Sequence, residues 1–324
     1  MSDVTSAVFG AANLGNLHRV VSDEQAHFTL DAAWDAGIRQ FDTAPHYGLG
    51  LSERRLGRFL ATKPREQFTV STKVGRLLRA ARESTGNLDT ANDFVVPADF
   101  DRVWDFSAEG IRASHRESLE RLGLDRVDVL YLHDPEKHDL DEAERTAYPE
   151  LIRLREEGLV DRVGIGSMSV DALTRAARIL ELDVLMVAGR LTLAEQPALE
   201  QVLPLAASNG TEVVVASVFN SGLLATTNPT TASRYEYGAV PADLLDRMRR
   251  IATACKEFGV ELPVAALQYP FLFAPVTSVV IGTDRPDRVV ENIRWLTRTV
   301  PEGLWTALAG RGLIPIPTRE EAGR

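Results

Sequence analysis

Three short apolar runs end on groups that can move or position a proton. FDTAPHYGLG (41–50) places Asp42 at the close of one run and Tyr47 on the Pro/Gly-rich loop after it. FTVSTKVG (68–75) brings Lys73 to the end of a second, and VDVLYLHDP (127–135) brings His133 to the end of a third. A lysine at the end of a buried strand needs a counter-charge, since an unpaired buried ammonium costs on the order of several kcal/mol. Asp42, one strand over, is the natural partner. A cation beside Tyr47 stabilises its phenolate and is expected to lower the phenol from its reference pKa of about 10. Such a phenol exchanges a proton near neutral pH, and His133 can hydrogen-bond the same substrate oxygen. A Lys–Asp pair alone can be structural, and a lone histidine can be a satisfied core group. Four such residues at successive strand ends point instead to a site.

These side chains need a frame that delivers successive strand ends to one place. β-branched runs are read as strands near 7–10, 38–42, 67–73, 127–133, 161–166, 183–188, 212–217 and 277–282. Between them lie segments with apolar residues every three or four positions, such as 23–37, 108–123 and 170–182, the helical period. Gly37, Gly123, Gly158 and Gly259 each follow a helical run, as C-terminal caps do. Strands separated by helices imply parallel βαβ units, and eight of them favour a closed (β/α)8 TIM barrel over an open α/β sheet. The run after the first strand, FGAANLGNL, lacks the GxGxxG spacing of an open dinucleotide-binding sheet. No linker divides the chain, so residues 1–324 are read as one domain. The stretch 77–106 is read as a long irregular loop after a strand's C-terminal end, the face on which barrels keep their active sites.

After the last strand, Thr283 or Asp284 can cap a helix whose first turn holds Pro286. Arg285 and Arg288 in that turn oppose the helix dipole unless an anion is bound, which suits an adenosine phosphate, or unless Asp284 and Asp287 neutralise a solvated helix start. Glu291 and Asn292, one turn on, can read an adenine. The 324 residues carry a net charge of −10, which argues against a nucleic-acid or anionic-membrane partner. No apolar run approaches the roughly 20 residues of a membrane span. MSDVTSAVFG has no basic-then-apolar signal pattern, which suggests a cytoplasmic protein. Cys255 is the single cysteine, and no Cys/His cluster has metal-ligand spacing.

Together the Asp42–Tyr47 loop, the Lys73 and His133 strand ends, GIGSMSV (164–170) and VIGTDRPDRVVENI (280–293) resemble the aldo-keto reductase superfamily, over about residues 8–297. The resemblance implies a TIM barrel and NAD or NADP as cofactor. It makes Tyr47 the general acid/base, Lys73 and Asp42 its tuning pair, and His133 the substrate-orienting residue. DTAPHYGLGLSERRLG, STKVGRLL and VFNSGLL look most like the D-threo-aldose 1-dehydrogenase group, which includes L-fucose dehydrogenases and similar pyridoxal 4-dehydrogenases. The implied reaction is oxidation of an aldose at C1 to a lactone. The alternatives are a general NADPH-dependent aldehyde or ketone reductase, or a cofactor-binding regulatory subunit. The implied partner is thus a small sugar or aldehyde.

Several cofactor positions depart from the family pattern. The usual Ser-Asn that holds the nicotinamide carboxamide is Ser167–Met168, so only Ser167 carries over. A typical Gln is replaced by Gly189–Arg190, and the stacking aromatic by Ala216–Ser217, with Phe219 a candidate substitute. The loop 218–224, including Asn220, Ser221, Gly222 and Leu223, offers small residues and backbone amides as a pyrophosphate cradle. Where NADP-binding relatives place a Lys after the last strand, this chain has Gly282. NAD is therefore expected to be usable, with any NADP preference modest.

Overall fold

In the computed structural model, which describes residues 3–81, 86–179, 181–236 and 238–317, the strand runs close on themselves. Numbered along the chain, the barrel strands are β1 (Ala7–Gly10), β2 (Gln40–Asp42), β3 (Thr69–Val74), β6 (Val129–His133), β7 (Arg162–Ser167), β8 (Val184–Ala188), β9 (Glu212–Ala216) and β12 (Val276–Gly282). Around the barrel they follow the order β1-β12-β9-β8-β7-β6-β3-β2, every pairing parallel. The remaining strands lie outside the barrel. β4 (Arg76–Ala80) pairs antiparallel with β5 (Phe100–Trp104), and β10 (Arg234–Tyr235) with β11 (Gly238–Ala239).

A strand's period of two decides which residues reach the interior. Val8, Val129, Tyr131, Val184, Met186 and Val214 form a small cluster separate from the main core. The main core holds the alternate positions Phe9, Phe41, Val70, Leu130, Leu132, Leu185 and Val213, packed under the outer helices. Lys73 shares its parity with Ser71, and His133 with Val129 and Tyr131, so both are carried inward at the C-terminal rim. The helices begin and end on their own signals. Ser22 accepts from the Gln25 amide at 3.1 Å to cap Asp23–Asp35, with Asp23 and Glu24 in the first turn. Ser107 likewise caps Ala108–Leu122, which Gly123 closes in the left-handed conformation.

Two expectations need correction. The stretch 77–106 is not an irregular loop, because most of its ends pair as the β4–β5 ribbon, with Arg76 opposite Trp104 and Ala80 opposite Phe100. Residues 82–85 of it lie outside the described residues. Helix 170–182 is shorter, spanning Val170–Ala177, and residue 180 is again outside the described set.

Candidate active site

Lys73 and Asp42 form the buried centre of the barrel's C-terminal mouth. The Lys73 ammonium donates to Asp42 Oδ2 at 2.6 Å and to the Thr43 carbonyl at 2.9 Å, with side-chain exposures of only 2% for Lys73 and 3% for Asp42. Ser71 Oγ donates to the other Asp42 oxygen at 2.7 Å, so the carboxylate is held from both sides. Lys73 Nζ lies 4.8 Å from the centre of the Tyr47 ring. The His133 ring stands edge-on to Tyr47, centroids 5.8 Å apart at 88°.

The Tyr47 loop is fixed by backbone contact. A Cβ on Gly15 would come within 2.7 Å of the Tyr47 carbonyl, and one on Gly48 within 2.2 Å of the Gly15 carbonyl oxygen. Gly48 also has φ of +61°, a left-handed value that favours glycine. The two glycines therefore let the loop settle directly on the 3-10 turn Ala11–Gly15. From the other side, Arg102 on β5 donates to the His46 carbonyl at 2.9 Å and pairs with Asp89 at 2.6 Å.

Charge states follow from this packing. Burial works against the Lys73 ammonium, but Asp42 and Tyr47 outweigh it and raise its pKa above the ordinary lysine value. Tyr47 is raised as well, contrary to the expectation of a lowered phenol. Burial dominates, Lys73 opposes it, and Asp42 adds to the upward push. The site thus holds an ammonium beside a neutral phenol. Burial, then Arg76 and Lys73, drive His133 well below its usual range, so it is a neutral imidazole. His46 is also neutral, through burial first and His133 second.

These groups face a cavity of about 1270 Å³ whose walls include Asp42, Tyr47, Lys73, His133, Ser167, Ser217, Phe219, Asn220, Ser221, Gly222 and Gly282. The volume exceeds the roughly 300–1,000 Å³ usual for one small ligand and suits a dinucleotide together with a substrate. Two local features fit a dinucleotide. Asn220 Oδ1 is buried without a hydrogen-bond partner. Ser217, Asn220, Ser221 and Gly222 all have positive φ, a tight run of turns of the kind whose amides cradle anions. Leu223 is fully buried beneath that loop rather than lining the cavity. Ser167 Oγ accepts from the Ser169 amide at 2.8 Å, so its oxygen is already engaged by the backbone.

Thr283, Arg288, Glu291 and Asn292 are not among the cavity walls. Arg288 is paired with Glu291, and Arg285 with Asp287 at 2.5 Å, so the basic helix start is largely neutralised within the chain. Neither Thr283 nor Asp284 caps the helix Pro286–Thr297, whose N-cap is Arg285. Asp284 is engaged instead by a two-pronged contact from Arg19 at 2.6 and 2.7 Å, and Thr283 Oγ1 accepts from the Arg285 amide at 3.2 Å. Sequence reasoning missed His46, Arg76, Arg102 and Asp134, all of which line the same cavity. Their usable signal was position: His46 and Asp134 each adjoin a candidate residue, and Arg76 opens the ribbon.

A closed parallel barrel with a Tyr–Lys–Asp–His mouth defines a class of oxidoreductase. Residues 7–308 match the aldo/keto reductase family, and the chain belongs to it. As a member it is an NAD(P)-dependent oxidoreductase. It is 58% identical over 310 residues to a D-threo-aldose 1-dehydrogenase of Pseudomonas sp., covering 95% of this chain and 94% of that one. A pyridoxal 4-dehydrogenase of Microbacterium luteolum is 35% identical, with 96% and 95% coverage. An aldo-keto reductase of Bacillus halodurans, solved in its holo form, shares the fold with a TM-score of 0.74 at 21% identity, covering 98% of this chain and 95% of that one.

Proposed function

We propose that the chain oxidises an aldose at C1 to the corresponding lactone, with Tyr47 as the proton acceptor. The observation that carries this reading is the 58% identity, spread over 95% of the chain, to a D-threo-aldose 1-dehydrogenase. When bound, NAD or NADP supplies the hydride acceptor. Ser167, Ser217, Phe219, Asn220, Ser221, Gly222 and Gly282 would hold it along the cavity wall, with Leu223 supporting the loop and Thr283, Arg288, Glu291 and Asn292 at its adenosine end.

The chain's own groups handle the proton. Tyr47, as phenolate, takes the C1 hydroxyl proton, and the Lys73 ammonium beside it stabilises the charge that this requires. Asp42 and the Thr43 carbonyl anchor Lys73 so that its third hydrogen can serve the phenol. Neutral His133 hydrogen-bonds the reacting oxygen and fixes its approach to Tyr47. Because Tyr47 starts as a neutral phenol, aldose oxidation should rise toward alkaline pH. The same neutral phenol is the form that donates a proton, which favours aldehyde reduction as the second reading.

A spectrophotometric screen decides between them. L-fucose, D-arabinose and L-galactose are offered with NAD and with NADP, and aromatic aldehydes with the reduced cofactors. Aldose oxidation with either cofactor is expected. Aldehyde reduction with a strict NADPH requirement and no aldose oxidation would overturn the proposal.

A further inference from the structure

We infer that Asp134 is a specificity residue: its unengaged carboxylate oxygen accepts a hydrogen bond from a hydroxyl on the carbon next to the reacting one. This rests on the aldose reading above. Asp134 directly follows His133, is 8% exposed, and lines the same cavity. Its φ of +45° lies in the left-handed region that L residues seldom adopt, and such conformations gather at functional sites. Its backbone amide is tied to the Gly166 carbonyl at 2.8 Å, so the strained residue is held in place.

The two carboxylate oxygens are treated differently. Oδ2 accepts from Arg76 at 2.5 Å and from Lys137 at 3.1 Å, and His133 Nε2 stands 3.7 Å from that same oxygen. Among the described residues, no hydrogen bond reaches Oδ1. Arg76 is itself clamped, its guanidinium 4.4 Å from the centre of the Trp104 ring, and Trp104 stacks on His138 at 5.5 Å. Arg76 and Lys137 therefore hold the carboxylate in place through one oxygen, with the other acceptor left over at the cavity wall. Fastening β4 to the barrel explains the Arg76 contact but leaves that spare acceptor without a use. An apolar aldehyde has no hydrogen to give it, and a ligand that covers the acceptor without meeting it is disfavoured. An aldose whose C1 oxygen meets Tyr47 and His133 carries its C2 hydroxyl one carbon away. His133 Nε2 stands 3.7 Å from the Asp134 carboxylate, so a sugar held at His133 by its C1 oxygen brings its C2 hydroxyl to the same stretch of cavity wall.

The test compares an aldose with its 2-deoxy analogue, using the wild type and Asp134→Asn with saturating NAD. The wild type is expected to favour the hydroxylated sugar by about 10- to 100-fold in kcat/KM, the range of one charged hydrogen bond. Asp134→Asn should lose most of that preference through a higher KM for the aldose, with the 2-deoxy sugar and cofactor Kd changed by less than about threefold. Equal losses on both sugars would mean that Asp134 only fastens the ribbon, and would overturn the assignment. So would a wild type that oxidises both sugars equally well, a result that stands even if the variant fails to fold. A wild type that oxidises neither sugar yet reduces simple aldehydes would overturn the aldose reading and this inference with it.

Discussion

Replacing Lys73 by Met keeps its length and removes its charge, which separates two roles that the structure gives one side chain. The first is electrostatic support of Asp42, whose carboxylate is 3% exposed and would retain only the Ser71 hydroxyl among its side-chain partners. Removing one member of a buried pair costs about 3–5 kcal/mol, because the other charge is left uncompensated. The double variant Lys73→Met/Asp42→Asn should recover a large part of that loss in urea denaturation. The second role is the phenol. Burial already raises the Tyr47 pKa, and Lys73 is the main influence opposing it. Losing the cation beside the phenol, an effect on the order of 1.5–3 kcal/mol for a charged contact, should raise the phenol by a further 1–2 pH units or so. The assay is the pH profile of kcat/KM for aldose oxidation. Its alkaline-rising limb should move up in Lys73→Met, and a slower enzyme with an unmoved limb would refute the idea that Lys73 tunes Tyr47.

Two further outcomes follow from the packing. Gly15→Ala must push the Tyr47 backbone off its seat, since the new Cβ would lie 2.7 Å from the Tyr47 carbonyl. A displacement approaching 1 Å should lower kcat by about 10²-fold with little change in cofactor Kd, as single-turnover rates and fluorescence titration can show. His46 and His133 are depressed below the ordinary histidine value of about 6.5, so the unfolded chain binds protons that the folded chain refuses. Their contribution to stability is complete above about pH 6.5 and is lost as pH falls below it. Tm should therefore drop between pH 7 and 5, and His46→Gln should flatten that slope; an unaltered slope would contradict the assignment.

The barrel was legible because its signal is periodic: β-branched runs alternate with amphipathic segments, and every barrel strand lies within about two residues of its expected place. Lys73 and His133 could be read because a charged or polar residue closing a buried strand is unusual in itself. The β4–β5 ribbon was not legible, since FDRVW and RLLRA pair across more than a dozen residues and neither shows a clear apolar alternation. With it went Arg76 and Arg102, whose place in the site depends on that pairing. The direction of the Tyr47 shift was misjudged for a related reason. Sequence names the cation beside a phenol but not how deeply the phenol sits, and here burial outweighs Lys73. At the helix Pro286–Thr297 the dipole argument correctly marked an electrostatic conflict. Neutralisation by Asp287 was legible as the alternative to a bound anion, whereas the pairing of Arg288 with Glu291 and the engagement of Asp284 by Arg19, far away in sequence, were not.

The central claim is that the Tyr47 hydroxyl carries the proton, and Tyr47→Phe tests it most directly. The ring remains to pack against Phe94 and His133, while the one atom held to move the proton is gone. Steady-state oxidation of the best aldose should fall by a factor of at least about 10², with the Kd for NAD essentially unchanged. Turnover near that of the wild type would contradict the account.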